Sequence, residues 1–289
     1  MALVTSSSCL KKVKHSIQNF GDFTEHFDSA ISPEKRSYII EIEEDVPIIC
    51  KGMLNITIDT PHLYADNKNI REIEVGAFDD QRLTSQLRIS NSSLSIIKRG
   101  TFRNMLITHL ELAYNKITVI EEGAFQNMPN LMTLYLSSNK IMEFHPTSLV
   151  NTPKLLFFDM THNELGKLKE RHFYSMSKDR NVGIGMGSNR LKEIHPRTFE
   201  GIDVFTLNLS NNMLESIPKE VFSGNKLHYL DIANNKLTHL DNDFFAMNTE
   251  VLRNVELDGN NFEEETVKKL EPFMKIIMEN RRQDSMYHF

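Results

Sequence analysis

Ile107 to Phe125, ITHLELAYNKITVIEEGAF, is one copy of a unit that recurs along most of the chain. Within it Ile107, Leu110, Leu112, Asn115, Ile117, Ile120 and Phe125 fall at the spacing L-x-x-L-x-L-x-x-N-x-L-x-x-L-x-x-x-x-F. Leu110 and Leu112, two residues apart, point to one side of a short strand, and Glu111 and Ala113 point to the other. Asn115 suits the turn that follows, because its short amide can bond backbone groups that a bend leaves unpaired. Phe125 closes the opposite side. One such unit cannot bury its own apolar face, so it demands copies stacked above and below.

The copies are present. The asparagine recurs at Asn115, Asn139, Asn163, Asn189, Asn212, Asn235 and Asn260, in steps of 24, 24, 26, 23, 23 and 25 residues. The closing aromatic recurs independently at Phe78, Phe102, Phe125, Phe173, Phe199, Phe222 and Phe245, with Leu149 in the one remaining place. Upstream, Leu87, Ile89, Ser92, Leu94, Ile97 and Phe102 keep the pattern with a weaker turn residue, as do Leu63, Ala65, Lys68, Ile70, Ile73 and Phe78. The reading is nine turns from about Thr60 to Phe262, the 26-residue step reflecting a lengthened loop, YSMSKDRNVG, after Phe173.

Three parts follow: residues 1–59 as an N-terminal tail and cap, 60–262 as the repeats, and 263–289 as a helical C-terminal cap. Ser8 is placed to start a short helix carrying Leu10, Val13, Ile17 and Phe20 and interrupted by Gly21, either a cap or a loose tail. Tyr38 to Ile49 reads as a strand covering the first repeat's open edge, with Ile56 and Ile58 continuing the cover. At the other end Val267, Leu270, Phe273 or Met274, and Ile277 recur at helical spacing. Acids at 263 to 265 favour the start of that helix and Arg281-Arg282 its end, and Pro272 is a candidate kink.

A hydrophobic fraction of 40% with 25% charged residues suffices for a continuous core. The net charge of −6 argues against a nucleic-acid surface and an anionic membrane face. Two cysteines, Cys9 and Cys50, are too few for a disulfide framework or a four-cysteine zinc site. The two could pair with each other, since neither lies inside the repeats, but Cys50 is expected to be unpaired or bonded outside the chain. No apolar run approaches the roughly 20 residues that span a bilayer, and the opening MALVTSSSCLKKVKHSIQNF lacks a signal peptide's apolar core.

The period near 24, the closing Phe and the strings Gly76-Ala77-Phe78, Gly100-Thr101-Phe102 and Gly123-Ala124-Phe125 resemble the "typical" leucine-rich repeats of animal extracellular proteins. Toll-receptor ectodomains, slit-type guidance proteins and insect leucine-rich-repeat immune proteins share this form. The resemblance implies an α/β repeat: a curved leucine-rich-repeat solenoid with a parallel β-sheet lining its concave face, capped at both ends. It also implies a protein ligand on that face, in extracellular recognition, innate immunity or adhesion. The alternative is a cytoplasmic scaffold or enzyme-inhibitor protein of the same fold, and the absent signal core favours it. Dimerisation, with itself or another chain, stays open.

Two exposed columns define the candidate binding face. One runs Arg88, Glu111, Tyr135, Asp159, Gly185, Asn208, Asp231, Glu256; its neighbour runs Gln86, His109, Thr133, Phe157, Gly183, Thr206, Tyr229, Asn254. The ligand-binding candidates are Arg88, His109, Glu111, Tyr135, Phe157, Asp159, Gly183, Gly185, Phe205, Tyr229 and Asp231. Tyr135, Phe157, Phe205 and Tyr229 are the natural anchors, since large aromatics dominate interfaces; isolated apolar surface residues are the plain alternative. Gly183, Gly185 and Gly187 occupy exposed positions and leave either a notch between Phe157 and Phe205 or mere sequence drift. They lack G-x-G-x-x-G spacing, so no phosphate cradle is expected. Sequons at Asn55, Asn91 and Asn208 are glycosylation candidates. His109, His162 and His228 with Glu111, Asp159 and Asp231 share the predicted face, but they spread over six repeats. His109 and His228 then stand some 20 Å or more apart by the strand spacing, too far for a compact catalytic or metal centre. No metal, cofactor or catalysed reaction is expected. The acids Asp231, Asp241, Asp243, Glu256, Asp258 and Glu263 to Glu265 thicken the charge at the C-terminal end, as a solvated surface or a site for a basic partner.

Overall fold

The computed structural model of this 289-residue chain describes residues 15–19, 38–42, 47–51, 60–79, 83–178, 181–225, 227–240 and 251–286. Every signature residue of the Ile107–Phe125 unit is buried: Ile107, Leu110, Leu112, Ile117 and Phe125 have no exposed surface, and Ile120 and Asn115 keep 5% and 7%. The strand they imply is short, His109–Glu111. It pairs in parallel with Thr133–Tyr135, Leu110 opposite Leu134, and the same register repeats from unit to unit. From Thr60–Tyr64 to Asn254–Glu256 the concave strands form one parallel ladder. Leu63, Leu87, Leu110, Leu134, Phe158, Ile184, Leu207, Leu230 and Val255 make its inner row.

The turn after each strand is built by the asparagine. Asn139 Oδ1 accepts the Ile117 N–H at 3.0 Å, while its Nδ2 donates to the Leu112 and Leu136 carbonyls, each at 3.0 Å. One amide thus ties two successive units and satisfies backbone groups that the bend removes from the ladder. Asn115, Asn163, Asn189, Asn212 and Asn235 repeat the arrangement. The residue before each of them takes the left-handed conformation, as Tyr114 (φ 55°), Ser138 (φ 56°) and His162 (φ 57°) do. This geometry corrects two expectations. Ala113 is buried at 4% exposure, because the strand ends at Glu111. His162 sits on the turn and not on the strand face.

The convex side is made of turns, short strand pairs and 3-10 turns such as Pro146–Ser148. Its aromatic row stacks: Phe78 on Phe102 at 5.7 Å, Phe102 on Phe125 at 5.6 Å, Phe173 on Phe199 at 5.5 Å. Leu149 keeps the register opposite Phe125 and is buried. Beside it Phe144, 5.1 Å from Phe158 and 5.7 Å from the buried His172, supplies aromatic volume that a leucine lacks. Gly123 precedes this row at φ +68°, a conformation that costs glycine nothing.

Truncating Leu134 or Leu209, both without exposed surface, to alanine is expected to lower stability by about 2–5 kcal/mol. Urea denaturation followed by circular dichroism measures it, and a loss under about 1 kcal/mol would contradict their core placement.

The ends depart from the sequence reading. His15–Asn19 is a strand, antiparallel to Tyr38–Ile42, and not part of a helix; Ser8, Leu10, Val13 and Phe20 lie outside the described residues. Backbone pairing with an open sheet edge outweighs the helical spacing there. The single strand expected over Tyr38 to Ile49 is two. Tyr38–Ile42 lies parallel to Thr60–Tyr64, and Ile48–Ile49 parallel to Glu72–Ile73, so the two belong to different sheets, as the two strand positions of a repeat do. Ile56 and Ile58 lie outside the described residues, as does Phe245. Cys50 is disulfide-bonded, which corrects the expectation of an unpaired thiol.

The terminal helix spans Glu264–Met286, running past Arg281-Arg282 and through Pro272 without ending at either. Thr266, Leu270 and Ile277 are its buried stripe, with Phe273 and Met274 packed against the core. Val267, expected on that stripe, is 45% exposed. Glu264 and Glu265 stand in the first turn, each bonded to the lysine four residues on, an arrangement that suits the helix dipole.

Candidate functional site

The parallel register assembles the two expected columns residue by residue. Gln86, His109, Thr133, Phe157, Gly183, Thr206, Tyr229 and Asn254 are successive Cα partners. Arg88, Glu111, Tyr135, Asp159, Gly185, Asn208, Asp231 and Glu256 are likewise. Adjacent strands lie about 4.8 Å apart, so each column is a continuous strip on the sheet's unpartnered side. His62 and Tyr64 extend the strips upstream.

The middle of this face is aromatic. Tyr135 and Phe157 meet at 5.5 Å between ring centroids. Phe205 stacks on His228 at 4.7 Å. A bulge explains how Phe205 reaches this side: Val182 pairs with Val204 but Gly183 pairs with Thr206, leaving Phe205 as the extra residue. Two successive side chains, Phe205 and Thr206, then escape the core, which strict alternation forbids. Gly183 is therefore flanked by Phe157 and Thr206, not by Phe157 and Phe205 as the sequence suggests.

The glycines let their neighbours lie down. A Cβ on Gly183 would stand 2.8 Å from Phe157 Cδ2 and 2.9 Å from Thr206 Oγ1, and one on Gly185 would stand 2.8 Å from Asp159 Oδ1. Gly187, expected to be exposed, is buried beneath Asn208, whose Oδ1 would lie 2.7 Å from an added Cβ. What remains open is a depression of about 230 Å³ lined by Phe157, Asp159, Thr161, Gly185, Asn208 and Tyr229, among others.

Polar groups around it are held from below. Asp159 Oδ1 accepts from the Thr161 backbone N–H at 2.9 Å and from the Thr161 hydroxyl. Asn208 Oδ1 accepts from Ser210 N at 2.9 Å and Ser210 Oγ at 2.8 Å, and Asp231 Oδ1 from Ala233 N at 3.0 Å. These are side-chain turns that fix each group's direction. Thr161 was missed as a site residue, although an Asp followed two positions later by Thr is a readable signal for such a turn. Burial, and then the nearby carboxylates, push the Tyr135 and Tyr229 hydroxyls above the usual tyrosine range. Burial holds the His109 imidazole below its usual value, favouring the neutral ring at pH 7.

The N-terminal end of the strip is already engaged. Arg88 bonds Asp66 through Nε and lies 4.2 Å over the Tyr64 ring, and Glu111 accepts from Ser90 Oγ at 3.2 Å. Of the glycosylation candidates, Asn91 is exposed, Asn208 is half-buried in the depression wall, and Asn55 lies outside the described residues. No three His, Cys, Asp or Glu side chains among the described residues form a potential metal cluster. No described helix is long and apolar enough to cross a membrane.

A family model described as "Leucine rich repeat" matches residues 106–165, 184–237 and 204–262. The fold is a leucine-rich-repeat solenoid. A leucine-rich-repeat protein of Leptospira interrogans aligns with it at a TM-score of 0.59 and 20% identity, over 74% of this chain and 53% of that one. An internalin of Listeria monocytogenes aligns at 0.56 and 17%, over 74% of this chain and 58% of that one. This chain thus spans little more than half the length of either structure, and at these identities the likeness concerns the fold. A comparison of the sequence with curated proteins finds no match. Leucine-rich-repeat modules are generally protein-binding, and the fold is typically a non-enzymatic interaction scaffold.

Proposed function

We propose that this chain is a recognition module that holds a protein ligand on its concave face, in an extracellular setting of the immune or adhesive kind. The observation that carries the first part is the aromatic centre of that face. Tyr135, Phe157, Phe205 and Tyr229 stand half-buried on an unpartnered side of the sheet where small polar residues would suffice for solubility. Rigid aromatics offer large contact area at low cost in side-chain entropy, which is why they concentrate in interfaces. The backbone beneath them is locked by the asparagine ladder, so the face meets its ligand preorganised. The disulfide at Cys50 and the exposed Asn91 sequon support an oxidising, glycosylating compartment.

Photo-crosslinking tests the face. Benzoylphenylalanine at Thr206, on the concave side, is expected to capture a partner from the native source, whereas the same group at the exposed Glu122 on the convex side is not. Capture at Glu122 alone overturns the assignment. With that partner in hand, the triple change Tyr135→Ala, Phe157→Ala, Tyr229→Ala should weaken binding by at least about a hundredfold, roughly 1 kcal/mol or more per anchor. Its melting transition should remain cooperative; loss of folding would mean that these side chains belong to the core. The mass of the native protein before and after deglycosylation tests the compartment: a glycan on Asn91 supports it, and an unmodified Asn91 turns the search to cytoplasmic partners.

A further inference from the structure

Two glycines shape the depression and two neighbours exploit them. Because Gly183 and Gly185 lack side chains, Phe157 and Asp159 lean across them towards the next strand, each within 2.8 Å of where a Cβ would stand. Phe157 and Tyr229 then flank an opening with Asp159 at its side. The space suits a long, thin side chain that carries an apolar stem and a polar head.

Charge decides the head. Between Glu111 and Glu256 the two columns present Glu111, Asp159, Asp231 and Glu256 and contain neither lysine nor arginine. Arg88, the column's one cation, is spent on Asp66. Asp159 and Asp231 each use Oδ1 for their own turn, and no donor among the described residues reaches either Oδ2. A fixed carboxylate with a free oxygen beside aromatic rings is what a guanidinium recognises, by hydrogen bonds to the oxygen and by stacking on a ring.

Resting on the concave-face reading above, we infer that the face receives a basic segment of a protein partner. One arginine of that segment lies in the depression over Gly185, its head at Asp159 and its stem against Phe157 and Tyr229. Asp231 and Glu256, on successive strands to one side, receive further basic residues of the same segment.

The test uses a displayed library of disulfide-cyclised random peptides selected against the full chain. Selected peptides are expected to be rich in arginine and lysine. They should lose about tenfold in affinity on Asp159→Asn. They should weaken further from about 50 to about 500 mM salt, as screening removes the carboxylate field. Two variants, Gly185→Trp, which fills the depression, and Tyr229→Ala, which removes one of its walls, separate the possible failures, with circular dichroism confirming that each is folded. Peptides that lose binding in those variants but carry no excess of basic residues, or ignore Asp159→Asn, overturn the basic partner and leave the concave face standing. Peptides indifferent to both variants, or no peptides at all, overturn the concave face as the binding surface.

Discussion

Asn139→Ala is expected to destabilise the solenoid by roughly 3–5 kcal/mol, more than most single substitutions. Asn139 is 8% exposed and its amide serves the Ile117 N–H and the Leu112, Leu136 and Ser137 carbonyls at 3.0 to 3.3 Å. Alanine removes every one of these bonds: the Ile117 N–H is left buried without a partner, at about 1–3 kcal/mol, and the Leu112, Leu136 and Ser137 carbonyls, which keep Asn115, Asn163 and the Tyr114 N–H as donors, each lose a second bond worth about 0.5–1.5 kcal/mol. The loss also crosses a repeat boundary, since Ile117 and Leu112 belong to the preceding unit. Asn260 makes the same bonds, to Ile232 and Leu257 at 2.9 and 2.8 Å, but it is half-buried at the end of the array. Water can replace its amide in part, so Asn260→Ala should cost roughly half as much. Urea titrations of the two variants beside the parent measure both. Equal costs would show that the ladder acts through each local turn alone and not through coupling between stacked units.

The second large effect is on acid stability and comes from His172. Its ring is 1% exposed, packed between Phe144 and Phe173, and its Nδ1 accepts the Lys169 N–H at 3.0 Å. Nε2 therefore carries the proton of a neutral ring, and it has no partner in the core. Burial, reinforced by Lys169 and His145, pushes the pKa down to about 3 from 6.5. The sign follows directly. Below pH 6.5 the unfolded chain takes up a proton that the folded chain refuses, so folding stability falls as pH drops, and continues to fall until about pH 3. The slope is about 1.4 kcal/mol per pH unit, which gives roughly 2 kcal/mol between pH 6.5 and pH 5. His62 and His109, whose values burial also lowers, act in the same direction, but they are common to the parent and to a His172→Gln variant. The stability difference between those two proteins should accordingly shrink by about 2 kcal/mol from pH 7 to pH 5. An unchanged difference would mean that His172 is hydrated or protonated in the folded state.

Both effects come from the same property of a stacked array. A unit that spans one strand and one turn has no core of its own, so its polar turn residues and its convex aromatics are buried only by its neighbours. A substitution in one unit is felt in two.

The periodic part of this architecture was legible in the chain itself. Ile107, Leu110, Leu112, Asn115, Ile117, Ile120 and Phe125 each do the job that their spacing implies, and the two exposed columns run in the register that the spacing dictates. Periodicity is a local property: strands repeat every two residues and units every 24 or so, and any copy predicts the next. Where the pattern breaks, the neighbours decide. The bulge that brings Phe205 to the exposed side depends on the pairing of two strands, and no periodicity marks it. The strand at His15–Asn19 exists because Tyr38–Ile42 offers an edge, whereas its own spacing suggests a helix. Gly183 and Gly185 read either as an empty notch or as sequence drift, whereas Phe157 and Asp159 lean over them and partly fill the space, because a missing Cβ is an invitation that only an adjacent strand can accept. The repeat, its register and the face that looks outward are written in the order of the residues, since they follow from the alternation of apolar and polar side chains along one chain. The tertiary structure alone decided the shape of the depression, the spent charge of Arg88 and the neutral His172, since each depends on what stands across the stack.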